Sequence, residues 1–221
     1  MSGYQQRKIK SEMISPQTEL IEKLHTDYVN RWHEDEYFEN LLIENYEGVY
    51  QIIYTLHLLN YHLWHQEDIA RRTDVDDSII ADVKRKIDKL NQARHDTIER
   101  IDDYLCQMLN LQNLNDPSLP MNSETPGSII DRMSILSLKI YHMAEETKRK
   151  DVPSEHIKNC EVKLNILKEQ LEDLKNCLDV LLDEVFSGKR KLKVYRQFKM
   201  YNDPMMNPQL RRVESREKHN E

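Results

Sequence analysis

Glycine and proline are scarce in this chain: four and seven residues among 221 leave little material for the tight turns of a β-sheet. Cysteine is scarcer still. Cys106, Cys160 and Cys177 are odd in number and show no C-x-x-C spacing, which argues for reduced thiols and against a disulfide framework or cysteine-based zinc cluster. No run approaches ~20 apolar residues, so no transmembrane segment is expected. The opening MSGYQQRKIK lacks the apolar core of a signal peptide. Together these absences point to a cytoplasmic protein. Catalytic signatures are missing too: there is no Walker or Rossmann glycine pattern, no G-x-S-x-G elbow, and no evident base to activate a cysteine. A net charge of -7 argues against general nucleic-acid binding.

What is present is charge and helical periodicity. Charged residues make up 32% of the chain, as long solvent-facing helices require. The spacing of apolar residues predicts an all-α fold: an elongated helical bundle of about five helices with a buried central helix. The helices are expected near 16–33, 36–72, 77–110, 125–148 and 154–187. Ser15 and Pro16 suit a first cap and first turn, Gly48 a bend, Asp74 or Asp76 the third cap, and Gly188 the end of the fifth helix. The fifth helix has the cleanest stripe, Cys160, Leu164, Leu167, Leu171, Leu174, Leu178, Leu181 and Val185, in alternating steps of four and three. Residues 1–14 and 209–221 read as disordered termini, 15–188 as the bundle, and the proline-bearing loop 111–121 as a lid or crossover. The basic and aromatic stretch 189–208 is expected to dock on the bundle through Tyr195 and Phe198, in preference to binding nucleic acid or anionic lipid.

The fourth segment, NSETPGSIIDRMSILSLKIYHM from Asn122 to Met143, organises the rest. It is apolar on nearly every face, the mark of a buried helix. Yet it carries Asp131, Arg132 and Lys139, and charges are seldom buried without a partner or a purpose. Its opening, Thr125-Pro126-Gly127-Ser128, offers free backbone N–H groups to an anion, although the same residues also make a good structural cap. Arg94 interrupts the apolar ridge of the third helix between Leu90 and Ile98, with Asn91 beside it. It either covers apolar surface with its stem or holds a planar donor fork inside the bundle for a carboxylate or phosphate. The end of the second helix places Trp64, Asp68 and Arg71 on one stripe and Asn60, Glu67 and Arg71 on the next.

Histidine spacing assigns no metal ligands. His62 and His65 lie three apart, but there is no H-x-x-x-H or H-E-x-x-H, and only the His65/Asp68 pair approaches the spacing of a carboxylate-bridged dimetal bundle.

Four stretches carry a resemblance: NYHLWHQEDIARR from Asn60, IDKLNQARHD from Ile87, SETPGSIIDRMSILSLKIYHM from Ser123 and VYRQFKMYNDP from Val194. Together they resemble the bacterial domain-of-unknown-function family numbered 4254, over about residues 35 to 210. The resemblance implies an all-helical fold and a setting near the glycosyltransferases of lipopolysaccharide or other surface-polysaccharide synthesis. It implies no reaction and no catalytic residues.

The reading these observations support is a protein that binds an anionic sugar-related metabolite, a phosphosugar or nucleotide sugar. The expected site comprises Trp64, Glu67, Asp68, Arg71, Asn91, Arg94, Asp131, Arg132 and Lys139, with Thr125, Gly127 and Ser128 supplying donors at the helix opening. Arginines would meet the anion, Trp64 would stack on a sugar or base, and the carboxylates would accept from hydroxyls. No cofactor is expected. Two alternatives stand beside it: a scaffold for glycosyltransferases without a small-molecule site, and a metal-dependent phosphohydrolase. Neither enzymatic activity nor oligomeric state is legible.

Overall fold

The computed structural model describes residues 15–34, 46–109 and 116–210. Five helices form where apolar residues recur at intervals of three and four: α1 (Thr18–Glu34), α2 (Val49–Ala70), α3 (Asp77–Met108), α4 (Pro126–Glu146) and α5 (Ser154–Phe186). A short 3-10 turn follows at Met200–Asn202. The fold is all-α, and no β-strand occurs among the described residues. None of the helices is long and apolar enough to cross a membrane. Residues 1–14 and all but the first two residues of 209–221, the termini expected to be disordered, lie outside the described residues, as do residues 111–115 of the expected lid and 36–45 of the expected second helix.

Gly48 is not a bend within a longer helix; α2 begins immediately after it. Its φ of 63° is left-handed, and a Cβ there would stand 2.9 Å from the Tyr104 hydroxyl oxygen. Only glycine meets both conditions without strain.

α4 packs against each of the other four helices. Ten of its 21 residues are buried, from Pro126 to Leu138, which makes it the central element. Cross-contacts set the helix directions. Gln17 meets Tyr50 near one end of α1, and His33 meets His65 at the other, so α1 and α2 run parallel. α2 runs parallel to α4, with His57 on Ser134 and Trp64 on His142. α3 is antiparallel to α4, with Arg94 on Asp131 and Asp102 on Gly127. α5 is antiparallel to α1, where Thr18 meets Asp179 and Glu22 meets Lys175. The α5 stripe is buried at Cys160 and from Leu171 to Val185, and half-buried at Leu164 and Leu167.

The tail lies along α3, but not through its aromatic residues. Arg196 bridges Glu99 and Asp103 at 2.9 and 2.6 Å, and Lys199 donates to the Asn91 carbonyl. Tyr195 and Phe198 face solvent, Phe198 with 86% of its surface exposed. The reason is charge: α3 presents carboxylates along this face, which select the cations of the stretch. Leu192 is the buried anchor.

Candidate functional site

A buried polar chain crosses the bundle, and its donors can be assigned from one end. The His25 carbonyl can only accept, so His57 donates to it through Nε2 at 3.0 Å. That leaves His57 Nδ1 as an acceptor, which receives the Ser134 hydroxyl at 2.8 Å. Ser134 in turn accepts from Asn60 Nδ2 at 3.0 Å, and the same amide donates to Asp131 Oδ1 at 3.0 Å. Arg94 closes the chain, donating through Nε at 2.8 Å and through Nη2 to the two oxygens of Asp131. Arg94 therefore satisfies neither sequence reading in full. Its fork is held inside the bundle, but the carboxylate it meets is the chain's own Asp131. Only 7% of the Asp131 side chain and 22% of the Arg94 side chain are exposed. Burial depresses His57 to a pKa of about 3, in keeping with a neutral ring.

Above this chain lies a hollow of about 290 Å³ between α2, α3 and α4. It is lined by six of the expected residues, Trp64, Glu67, Asp68, Arg71, Asn91 and Arg94, together with Asn60, Leu63, Ile135 and Leu138. Asp131, also expected in the site, does not line the hollow; it stands behind the wall, bonded to Arg94 and Asn60. Arg71 donates to Glu67 at 2.6 Å, so the rim carries both signs of charge. Leu63, Ile135 and Leu138 were missed because apolar periodicity assigns them to the core.

The remaining expected residues lie elsewhere. The α4 opening already holds an anion: Gly127 N–H donates to Asp102 Oδ1 at 2.7 Å, and Thr125 caps Ser128 N–H at 3.2 Å. A Cβ on Gly127 would stand 2.6 Å from the Ile98 carbonyl oxygen, so this glycine serves close packing of α4 on α3 and not approach by a ligand. Burial raises Asp102 to a pKa of about 6, against the pull of its donors Thr125 and Gly127. Arg132 is clamped on both oxygens of Glu124, at 2.9 and 2.8 Å. With Lys139 it lines a separate hollow of about 410 Å³ facing α5. Helical spacing sets Arg132 and Lys139 about a quarter-turn around α4 from Asp131, on a side that faces α5.

Three histidines from three helices converge beside the first hollow. His33 ends α1, His65 lies near the end of α2, and His142 near the end of α4; their ligand atoms stand within 4.8 Å of one another. His33 Nδ1 donates to the Val29 carbonyl at 2.7 Å. His142 Nδ1 faces Glu145 Oε2 at 3.0 Å, and His65 Nδ1 stands 3.8 Å from Asp68 Oδ2. The Nε2 atoms of all three are buried and unpartnered. Tyr141 stacks on His33 with ring centres 4.1 Å apart, and Trp64 on His142 at 4.7 Å. Burial, reinforced by the neighbouring imidazoles, lowers the pKa of His65; burial lowers that of His142 as well. His33 drew no attention in the sequence, since no spacing within one helix links it to the other two.

A family model described as protein of unknown function (DUF4254) matches residues 50–194, which include all the lining residues of the hollow but not His33. Comparison with curated proteins and with solved structures gives no match.

Proposed function

The chain belongs to the DUF4254 family, and from that premise we propose that it binds an anionic sugar-related metabolite in the hollow between α2, α3 and α4. The observation that carries this reading is the composition of the wall. Trp64 offers an aromatic face, Glu67, Asp68, Asn60 and Asn91 offer acceptors and donors for hydroxyls, and Arg71 and Arg94 offer guanidinium edges. Because both arginines already hold carboxylates, the wall suits a polyhydroxylated ligand with one phosphate better than a bare anion. At about 290 Å³ the hollow sits at the lower edge of ligand-pocket sizes, which favours a phosphosugar, or the sugar-phosphate end of a nucleotide sugar. In this reading the protein works in the bacterial cytoplasm, in surface-polysaccharide metabolism, beside glycosyltransferases.

Thermal melts of the full chain against phosphosugars and sugar nucleotides test it. A specific ligand at a hundredfold excess over its Kd should add about 2.7 kcal/mol of stability. Trp64→Ala and Asn91→Ala should abolish that shift. A panel that leaves the wild-type melt unmoved, or a shift that survives both substitutions, would refute the reading.

A further inference from the structure

Protonation of the three converging imidazoles is fixed by what surrounds them. A ring nitrogen within hydrogen-bonding distance of a carbonyl or carboxylate carries the hydrogen, so His33 and His142 keep theirs on Nδ1 and present a bare lone pair at Nε2; at His65 the Asp68 carboxylate, 3.8 Å from Nδ1, favours the same tautomer through its charge alone. Three buried lone pairs then lack any donor, an arrangement that costs stability unless something accepts them. The outward donation from His33 to a backbone carbonyl and from His142 to a carboxylate is the second shell that ligating histidines show: it fixes the tautomer and raises the basicity of the opposite nitrogen. Tyr141 and Trp64 hold two of the rings from their faces, which limits how far the imidazoles can turn away.

We infer that His33, His65 and His142 form a binding site for one divalent transition-metal ion, of which Zn²⁺ is the best fit. An all-imidazole set disfavours Mg²⁺ and Ca²⁺, which take oxygen, and lacks the thiolates that select Cu(I). Nitrogens bound at 2.0–2.1 Å in a tetrahedron stand about 3.3 Å apart. One nitrogen from each of the three rings already lies within 4.8 Å of the others, so side-chain rotations close the site. Three protein ligands leave the fourth position for water or a ligand atom. Asp68 and Trp64 belong both to the surroundings of this site and to the wall of the neighbouring hollow, so the two stand side by side.

The test uses the full chain, stripped of metal with a chelator and titrated with Zn²⁺ against a chromophoric competitor, with Co²⁺ as a spectroscopic probe. One equivalent should bind with submicromolar affinity. The Co²⁺ form should show four-coordinate visible bands without a thiolate charge-transfer band. His33→Gln, His65→Gln and His142→Gln should each weaken Zn²⁺ by more than ~100-fold, and Glu145→Gln by about 10–100-fold. Binding weaker than micromolar, or binding that survives loss of any one of the three histidines, overturns the inference. A thiolate band also overturns it, by placing the metal at the Glu146, His156 and Cys160 group. The wild-type spectrum decides the matter even where a variant loses its helicity.

Discussion

The two halves of α4 treat buried polar groups in opposite ways. In the N-terminal half, Gly127, Asp131 and Ser134 are engaged by Asp102, Arg94, Asn60 and His57 from neighbouring helices. The helix opening there, which looked most like an anion site, is already filled by Asp102. In the C-terminal half, His142 meets His33 and His65 with their Nε2 atoms unpartnered, beside the hollow lined by Trp64. The difference teaches where to look. Charge placed in a core marks architecture when it is paired, and a site where matched lone pairs are left facing one another.

The largest test of that contrast is Arg94→Met. It strands Asp131 with Asn60 as its remaining donor, and breaking such a pair should cost about 3–5 kcal/mol in denaturant melts. A loss under about half a kcal/mol would mean that the polar chain is not structural. Next is pH. His25 and His57 have lowered folded values, so the unfolded chain binds more protons below about 6.5. Their contribution is present above that pH and is lost as pH falls towards 3, at about 1.4 kcal/mol per unit for each ring. Asp102 works the other way. Raised to about 6 from 3.8, it lowers stability above pH 6 and relieves that penalty as pH falls towards 4. Melts should therefore show acid destabilisation, steeper in Asp102→Asn over the range between 6 and 4. A shallower slope in that variant would contradict the assignment.

Gly127→Ala comes third. The added methyl forces α4 away from the Ile98 carbonyl and should cost about 1–3 kcal/mol by melting. A neutral outcome would show that the contact between α3 and α4 yields easily. The smallest effect belongs to the other half. Glu145→Gln removes a partner of His142 at an exposed position and should change metal-free stability by less than about half a kcal/mol. A loss comparable to that of Arg94→Met would erase the distinction between the halves.

Much of this was legible in the chain. The boundaries of α3, α4 and α5 fall within two residues of those expected, because capping residues and the 3.6-residue period are local properties. Trp64, Glu67, Asp68 and Arg71 share a wall because they share the last turns of one helix, and Arg94 announced itself by breaking an apolar ridge. What failed did so where a partner came from elsewhere. The α4 opening looked open until Asp102 of α3 filled it, and the tail aromatics looked like anchors until the acidic face of α3 selected Arg196.

The sequence by itself determined which segments are helical, which face of each is apolar, and that Asp131 and Arg94 would need an account. Tertiary structure alone decided that they are each other's partner, and that α1 runs parallel to α2 so that His33 arrives at His65 and His142. The physical reason lies in range. Helix formation is governed by hydrogen bonds four residues apart, whereas direction and register between helices are set by packing among side chains far apart in the chain.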